Sequence, residues 1–177
     1  CIRDSPVSGL SGATAVTAGL LHSCARIDDG TVQCWGRNGN GQLGNDSTTS
    51  SSTPVTVSGI TDAVAVSAGG THTCALSADG TVRCWGYNAF GQLGNDTTTS
   101  SKVPVPVVGI TGAVAVSAGA GHTCALLGDT TVRCWGLGHR GQLGNNSTAN
   151  RRTPVAVSGL TNVMALSSGA AHTCAVT

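Results

Sequence analysis

Charge, aromatic side chains and long apolar runs are all scarce in this sequence. Asp, Glu, Lys and Arg together make up 10% of the 177 residues, and Phe, Trp and Tyr only 3%. The formal net charge is +1, and no basic run is longer than Arg151-Arg152. Such a chain has no electrostatic footprint for nucleic acid or an anionic membrane. No apolar stretch approaches the ~18 residues of a membrane-spanning helix, and no apolar leader core stands at the start. Gly, Ser and Thr fill the gap, so the surface is expected to stay soluble through neutral hydroxyl and amide groups.

The machinery of catalysis is equally thin. Eight acidic residues are scattered along the chain, and Asp28, Asp29, Asp79 and Asp129 have an explanation as turn formers. There is no Gly-x-Ser-x-Gly nucleophile elbow and no phosphate-binding glycine loop ahead of a helix. The expectation is a protein that is not an enzyme and uses no cofactor or metal. Methionine is also rare: the only one is Met164, and the first residue is Cys1. This reads as a processed chain or a piece of a longer one. Cysteine is the exception, with eight in a short chain, which points to an oxidising compartment and an extracellular or cell-surface location.

Internal repetition is plain at a shift of 50. His22-Ser23-Cys24-Ala25 returns as His72-Thr73-Cys74-Ala75, His122-Thr123-Cys124-Ala125 and His172-Thr173-Cys174-Ala175. Cys34-Trp35-Gly36 returns at Cys84 and Cys134, and Gly41-Gln42-Leu43-Gly44-Asn45 at Gly91 and Gly141. Short β-type runs alternate with turn residues; in the second unit they are Val55–Val57, Ala63–Ser67, His72–Ser77 and Thr81–Trp85. Four short strands per ~50 residues is the pattern of a propeller blade. The fold class is all-β: one repeat domain over residues 1–177, in approximate units 1–52, 53–102, 103–152 and 153–177. Three blades of four antiparallel strands are expected, with a fourth lacking its last strand.

The string Ser67-Ala68-Gly69, His72-Thr73-Cys74-Ala75-Leu76, Asp79-Gly80-Thr81-Val82, Cys84-Trp85-Gly86 and Gly91-Gln92-Leu93-Gly94 resembles the repeat of the regulator of chromosome condensation family, here in a disulfide-bearing form. The resemblance covers essentially the whole chain and implies a propeller, usually of seven blades. The family's best-known activity, nucleotide exchange on a small GTPase at chromatin, implies an insertion, a charged surface and a basic tail. None of these stands in the given residues, so the expectation is that the fold carries over and that activity does not.

Cys24 and Cys34 flank a hairpin closed by Asp28-Asp29-Gly30. If Ile27 faces Thr31, inward pairing sets Cys24 opposite Cys34 at a non-hydrogen-bonded site, where a cross-strand disulfide fits. The same count pairs Cys74 with Cys84 and Cys124 with Cys134. Buried free thiols are the alternative, and zinc is disfavoured because the cysteines lack the close pairs of zinc motifs. Cys1 and Cys174 remain. The expectation is that the segment Cys1-Ile2-Arg3 supplies the missing strand of the fourth blade and bonds Cys174. Donation within one chain would close a four-bladed ring, whereas donation between neighbouring copies would make a head-to-tail ring or fibre. The second is expected, because wedges shaped for a seven-bladed family should not curve tightly enough to close at four. The other reading is a propeller binding module for a protein or glycan. Tyr87 and Phe90 are the only aromatics besides the tryptophans, which ranks sugar recognition low.

Four further expectations follow from single positions. The column His22, His72, His122 and His172 reads as buried imidazoles tying down the preceding turns, with His139 a solvated loop residue. Asn45, Asn95, Asn145 and Asn146 open Asn-x-Ser/Thr acceptor patterns for covalent glycans. Thr130 replaces Gly30 and Gly80 in the third hairpin, so that hairpin should deviate locally. Arg26 replaces Leu76 and Leu126, so the first blade's face there should be partly solvated or lie at a subunit junction.

Overall fold

The computed structural model describes residues 6–177. Every element is a strand. The first sheet holds β1 (Ala13–Ala18), β2 (His22–Ile27), β3 (Val32–Gly36) and β4 (Ser51–Thr56). The second holds β5 (Ala63–Ala68), β6 (His72–Ser77), β7 (Val82–Gly86) and β8 (Ser101–Pro106). The third holds β9 (Ala113–Ala118), β10 (His122–Leu127), β11 (Val132–Gly136) and β12 (Arg151–Ala156). The last sheet has two strands only, β13 (Ala165–Ser168) and β14 (Thr173–Val176). Each four-stranded sheet is an antiparallel meander in chain order.

The outer strand closes a blade and does not open it. β12 was expected to begin the fourth blade, but it pairs with β11 through Cys134 and Val155. The fourth blade therefore has two strands among the described residues. The outer strands also start four residues earlier than their apolar part indicates, inside the Ser/Thr run. Pro54, Pro104 and Pro154 sit within them, which an edge strand tolerates because its outer side needs no donor.

The hairpins have the expected register. Ile27 N–H donates to the Thr31 carbonyl at 2.9 Å, Cys24 faces Cys34, and the two α-carbons are 4.0 Å apart. Disulfides join Cys24 to Cys34, Cys74 to Cys84 and Cys124 to Cys134. The third hairpin does not deviate, contrary to expectation. Thr130 takes φ 67°, beside 82° at Gly30 and 78° at Gly80, and Leu127 and Thr131 keep the closing hydrogen bond at 2.9 Å. The hairpin's own bonds hold the shape, and the threonine bears the left-handed conformation.

The core lies between blades. Leu43, Val57 and Ile60 of the first blade cluster with Ala75 and Trp85 of the second. Leu76, Leu93, Val107 and Ile110 of the second cluster with Ala125 and Trp135 of the third. Arg26, in the place of Leu76, is half-buried at the first junction, and its guanidinium donates to the Ala63 carbonyl at 3.3 Å. Inner strands follow one another, β1 on β5, β5 on β9 and β9 on β13, while no comparable packing joins β13 back to β1. The described residues form an open arc.

Candidate functional site

The most developed chemistry in the molecule is the junction between blades. His22 Nε2 lies 2.8 Å from Thr73 Oγ1, and the Thr73 hydroxyl donates to the Gln42 carbonyl at 2.9 Å. Trp85 Nε1–H donates to the same carbonyl at 2.9 Å. A hydroxyl has one proton, so the bond to Gln42 requires His22 to donate from Nε2. The imidazole is then neutral with a bare Nδ1, which has no partner at His22, His72 or His122. The second junction repeats the set with His72, Thr123, Gln92 and Trp135, at 2.9, 3.0 and 2.9 Å. Burial lowers the His72 pKa to about 3, with smaller contributions from His22 and His122, and burial lowers those of His22 and His122 to about 4.

These imidazoles are buried as expected, but they tie down the next blade's threonine in addition to packing on their own turn. His172 departs from the column. It is exposed, since no following blade covers it among the described residues. His139 is exposed as well.

A second network shapes the hydroxyl-rich loops. Buried Asn38 donates from Nδ2 to Asn45 Oδ1 and to the Ser47 and Thr49 carbonyls, and its Oδ1 accepts from Leu43 N–H. Asn88 does the same in the second blade. Gly138 stands at this position in the third, and Asn145 Oδ1 is left without a donor. Among the acceptor-pattern residues, Asn45, Asn95 and Asn145 are half-buried and Asn146 is exposed. Lys102 pairs with Asp46 at 3.1 Å and Arg152 with Asp96 at 3.4 Å across the blade junctions. Sequence reasoning assigned no role to the Asn38 position, to Thr73 or to Gln42. The available signal was that Thr follows His in every unit but the first, where Ser23 has no described blade before it.

The third copy of the junction is incomplete. Thr173 still accepts from His122 at 2.9 Å and donates to the Gln142 carbonyl at 3.1 Å. Where Trp85 and Trp135 sit in the first two copies there is a cavity of about 240 Å³, lined by Leu143, Gly144, Val157, Leu160 and Leu166. Among the described residues β14 pairs only with β13, and Cys174 is an exposed free thiol. Cys1, its expected partner, lies outside the described residues.

Models of the regulator of chromosome condensation (RCC1) repeat match residues 29–76, 79–126 and 131–176, and a second model of the same repeat matches 13–42, 63–92 and 113–142. The chain belongs to the RCC1 repeat family. A comparison with curated protein sequences finds no match. Among solved structures, Prp20p of Saccharomyces cerevisiae superposes with a TM-score of 0.83 at 19% identity, over 94% of this chain and 44% of the yeast one. Human WBSCR16 follows at 0.67 and 20%, over 92% and 57%. The ectodomain of the Physcomitrella patens receptor kinase CR4 gives 0.57 and 25%, over 93% and 38%. The chain thus spans 38–57% of the length of these structures. They establish an RCC1-type propeller fold, and the three disulfides point to an oxidising compartment. No helix among the described residues is long and apolar enough to cross a membrane.

Proposed function

We propose that this RCC1-repeat protein is a non-enzymatic, extracellular module whose work is protein association through the open end of its blade row. Copies are joined head to tail, as a ring or fibre, by a strand added beside β14. The observation that carries this reading is the edge of β14, which among the described residues has no second pairing strand and carries exposed Cys174, next to three blades in which the equivalent strand is paired on both sides and disulfide-bonded. An unpaired edge is a template for a further strand. The donor expected from the sequence is the segment around Cys1 of a neighbouring copy. Yeast RCC1 (Prp20), to which this chain is similar in fold, has itself been solved with a protein, Kap60, bound. Mass analysis of the oxidised chain with and without reductant tests the proposal. Covalent multimers that collapse on reduction, and are absent in Cys174→Ser, are the expected result. A monomer under both conditions would refute it.

A further inference from the structure

We infer that the cavity beside β14 is a tryptophan socket, so that this edge holds a strand in which a cysteine is followed by a tryptophan in preference to the Cys1-Ile2 strand of a neighbouring copy. The inference rests on reading β14 as a strand acceptor and gives the incoming strand its chemistry. In both complete junctions the indole lies against the same group of residues. Trp85 clusters with Leu43 and Val57, and Trp135 with Leu93 and Val107. A side chain at Gly44 or Gly94 would run into that indole, its β-carbon 2.7 Å from the ring nitrogen in both cases. At Gly144 no ring is near, only Val157. The Gln42 and Gln92 carbonyls each take one proton from threonine and one from indole. Among the described residues Gln142 has the threonine donor alone.

Register links socket and thiol. Trp85 stands opposite Thr73 while Cys84 stands opposite Cys74, and Trp135 and Cys134 repeat this with Thr123 and Cys124. A strand laid antiparallel on β14 with its tryptophan opposite Thr173 therefore sets its cysteine opposite Cys174. Successive side chains point to opposite faces, so the indole enters the cavity while the sulfurs meet on the other side. An aliphatic residue after the cysteine, as in Cys1-Ile2, would leave the indole's space and the second acceptor site of Gln142 unfilled.

Synthetic peptides test this with the chain as it stands. Thr-Val-Arg-Cys-Trp-Gly, the sequence of residues 131–136, is supplied as its mixed disulfide with glutathione. The Cys174 thiolate attacks the peptide sulfur, a new sulfur–sulfur bond forms, and glutathione leaves as thiolate. The controls are the same peptide with alanine for tryptophan and the peptide Cys-Ile-Arg-Asp-Ser-Pro, likewise as glutathione disulfides. Capture of the tryptophan peptide at Cys174, followed by mass, should be at least about tenfold faster than either control. Equal rates for all three, above that of free cysteine, would overturn the socket while leaving β14 a strand acceptor. Rates no faster than free cysteine for every peptide would overturn both. A chain that stays monomeric yet captures the tryptophan peptide selectively would refute self-association and uphold the socket.

Discussion

The junction between the second and third blades and the one between the third and fourth are built from the same residue types fifty positions apart, but only the first is closed. In the closed copy Leu93, Thr123, Gln92 and His72 surround Trp135, and all are buried. In the open copy Leu143 and Gln142 are still buried, while Cys174, Ala175 and Val176 of β14 are exposed. All four of the junction's partners, Leu143, Gln142, His122 and Thr173, thus hold their places without the indole. What the indole adds is enclosure of the inner hairpin. A blade in this chain owes its burial less to its own sheet than to the neighbour covering each face.

Acid should have the largest effect, and it acts on closed and open junctions alike. His22, His72 and His122 have folded pKa values of about 4, 3 and 4 against 6.5 in an unfolded chain. The unfolded state binds more protons between those limits, so stability is fully present above pH 6.5 and falls as pH drops toward 4. Each unit of separation is worth about 1.4 kcal/mol per histidine, so unfolding by pH 4 is expected. Circular dichroism across pH 7 to 3 checks this. The imidazole signals of His22, His72 and His122 should shift only as the chain unfolds. Titration of all three near 6.5 in the folded chain would break the comparison.

Tryptophan truncation should sharpen it next. Trp85 and Trp135 are fully buried, whereas Trp35 is half-buried on the first blade's uncovered side. Trp85→Ala and Trp135→Ala should each cost about 3–5 kcal/mol, and Trp35→Ala clearly less. Urea unfolding of the three variants reads the difference. Equal losses would mean that the first blade is covered in solution.

Different parts of this arrangement were legible in the sequence to different degrees. The disulfide hairpins could be read because the turn at Asp28-Asp29-Gly30 sets a register that carries straight to Cys24 and Cys34. The blade boundary was misplaced because Ser51–Thr56 has the hydroxyls and proline of a loop, and only its pairing with β3 makes it a strand. The socket was hidden because Leu43 and Val57 meet Trp85 from 42 and 28 positions away. Strand alternation separates two faces without saying which neighbour each one meets. The Asn38 hub was missed because one asparagine in a Gly/Asn loop looks like a turn residue until Leu43 and the Ser47 and Thr49 carbonyls converge on it.

The disulfides should rank third. Each closes a short ring, for which the chain-entropy model gives about 2–3 kcal/mol. The double variant Cys74→Ala with Cys84→Ala, at a covered face, adds a packing loss to that figure, since both residues are fully buried. Denaturant midpoints against the corresponding variant of Cys24 and Cys34 measure it. Similar destabilisation is expected, because both pairs face a following blade. A negligible effect at either would mean that the hairpin is held by its strand bonds alone.

The smallest expected effect lies where the third hairpin, itself undistorted, meets the following blade. Gly30 and Gly80 let the next blade come close: a β-carbon at Gly30 would lie 2.6 Å from the Thr61 carbonyl oxygen, and one at Gly80 2.8 Å from Gly112. Across those contacts Ala63 N–H reaches the Gly30 carbonyl at 2.9 Å and Ala113 N–H the Gly80 carbonyl at 3.0 Å. At Thr130 the same bond, from Val163, lengthens to 3.2 Å. The fourth blade's inner strand also begins two residues later in its unit, at Ala165. The left-handed conformation costs a non-glycine residue about 1–2 kcal/mol, while glycine adds about 0.4–1 kcal/mol of unfolded-state entropy. Thr130→Gly should therefore stabilise by only about 0.5 kcal/mol, with amide exchange at Val163 slowed. Gly30→Thr should cost more than Thr130→Gly gains, because it meets the Thr61 carbonyl as well as the strain. If Thr130→Gly leaves both the denaturation midpoint and Val163 exchange unchanged, the longer bond does not arise from the threonine, and the later start of β13 belongs to the uncovered edge alone.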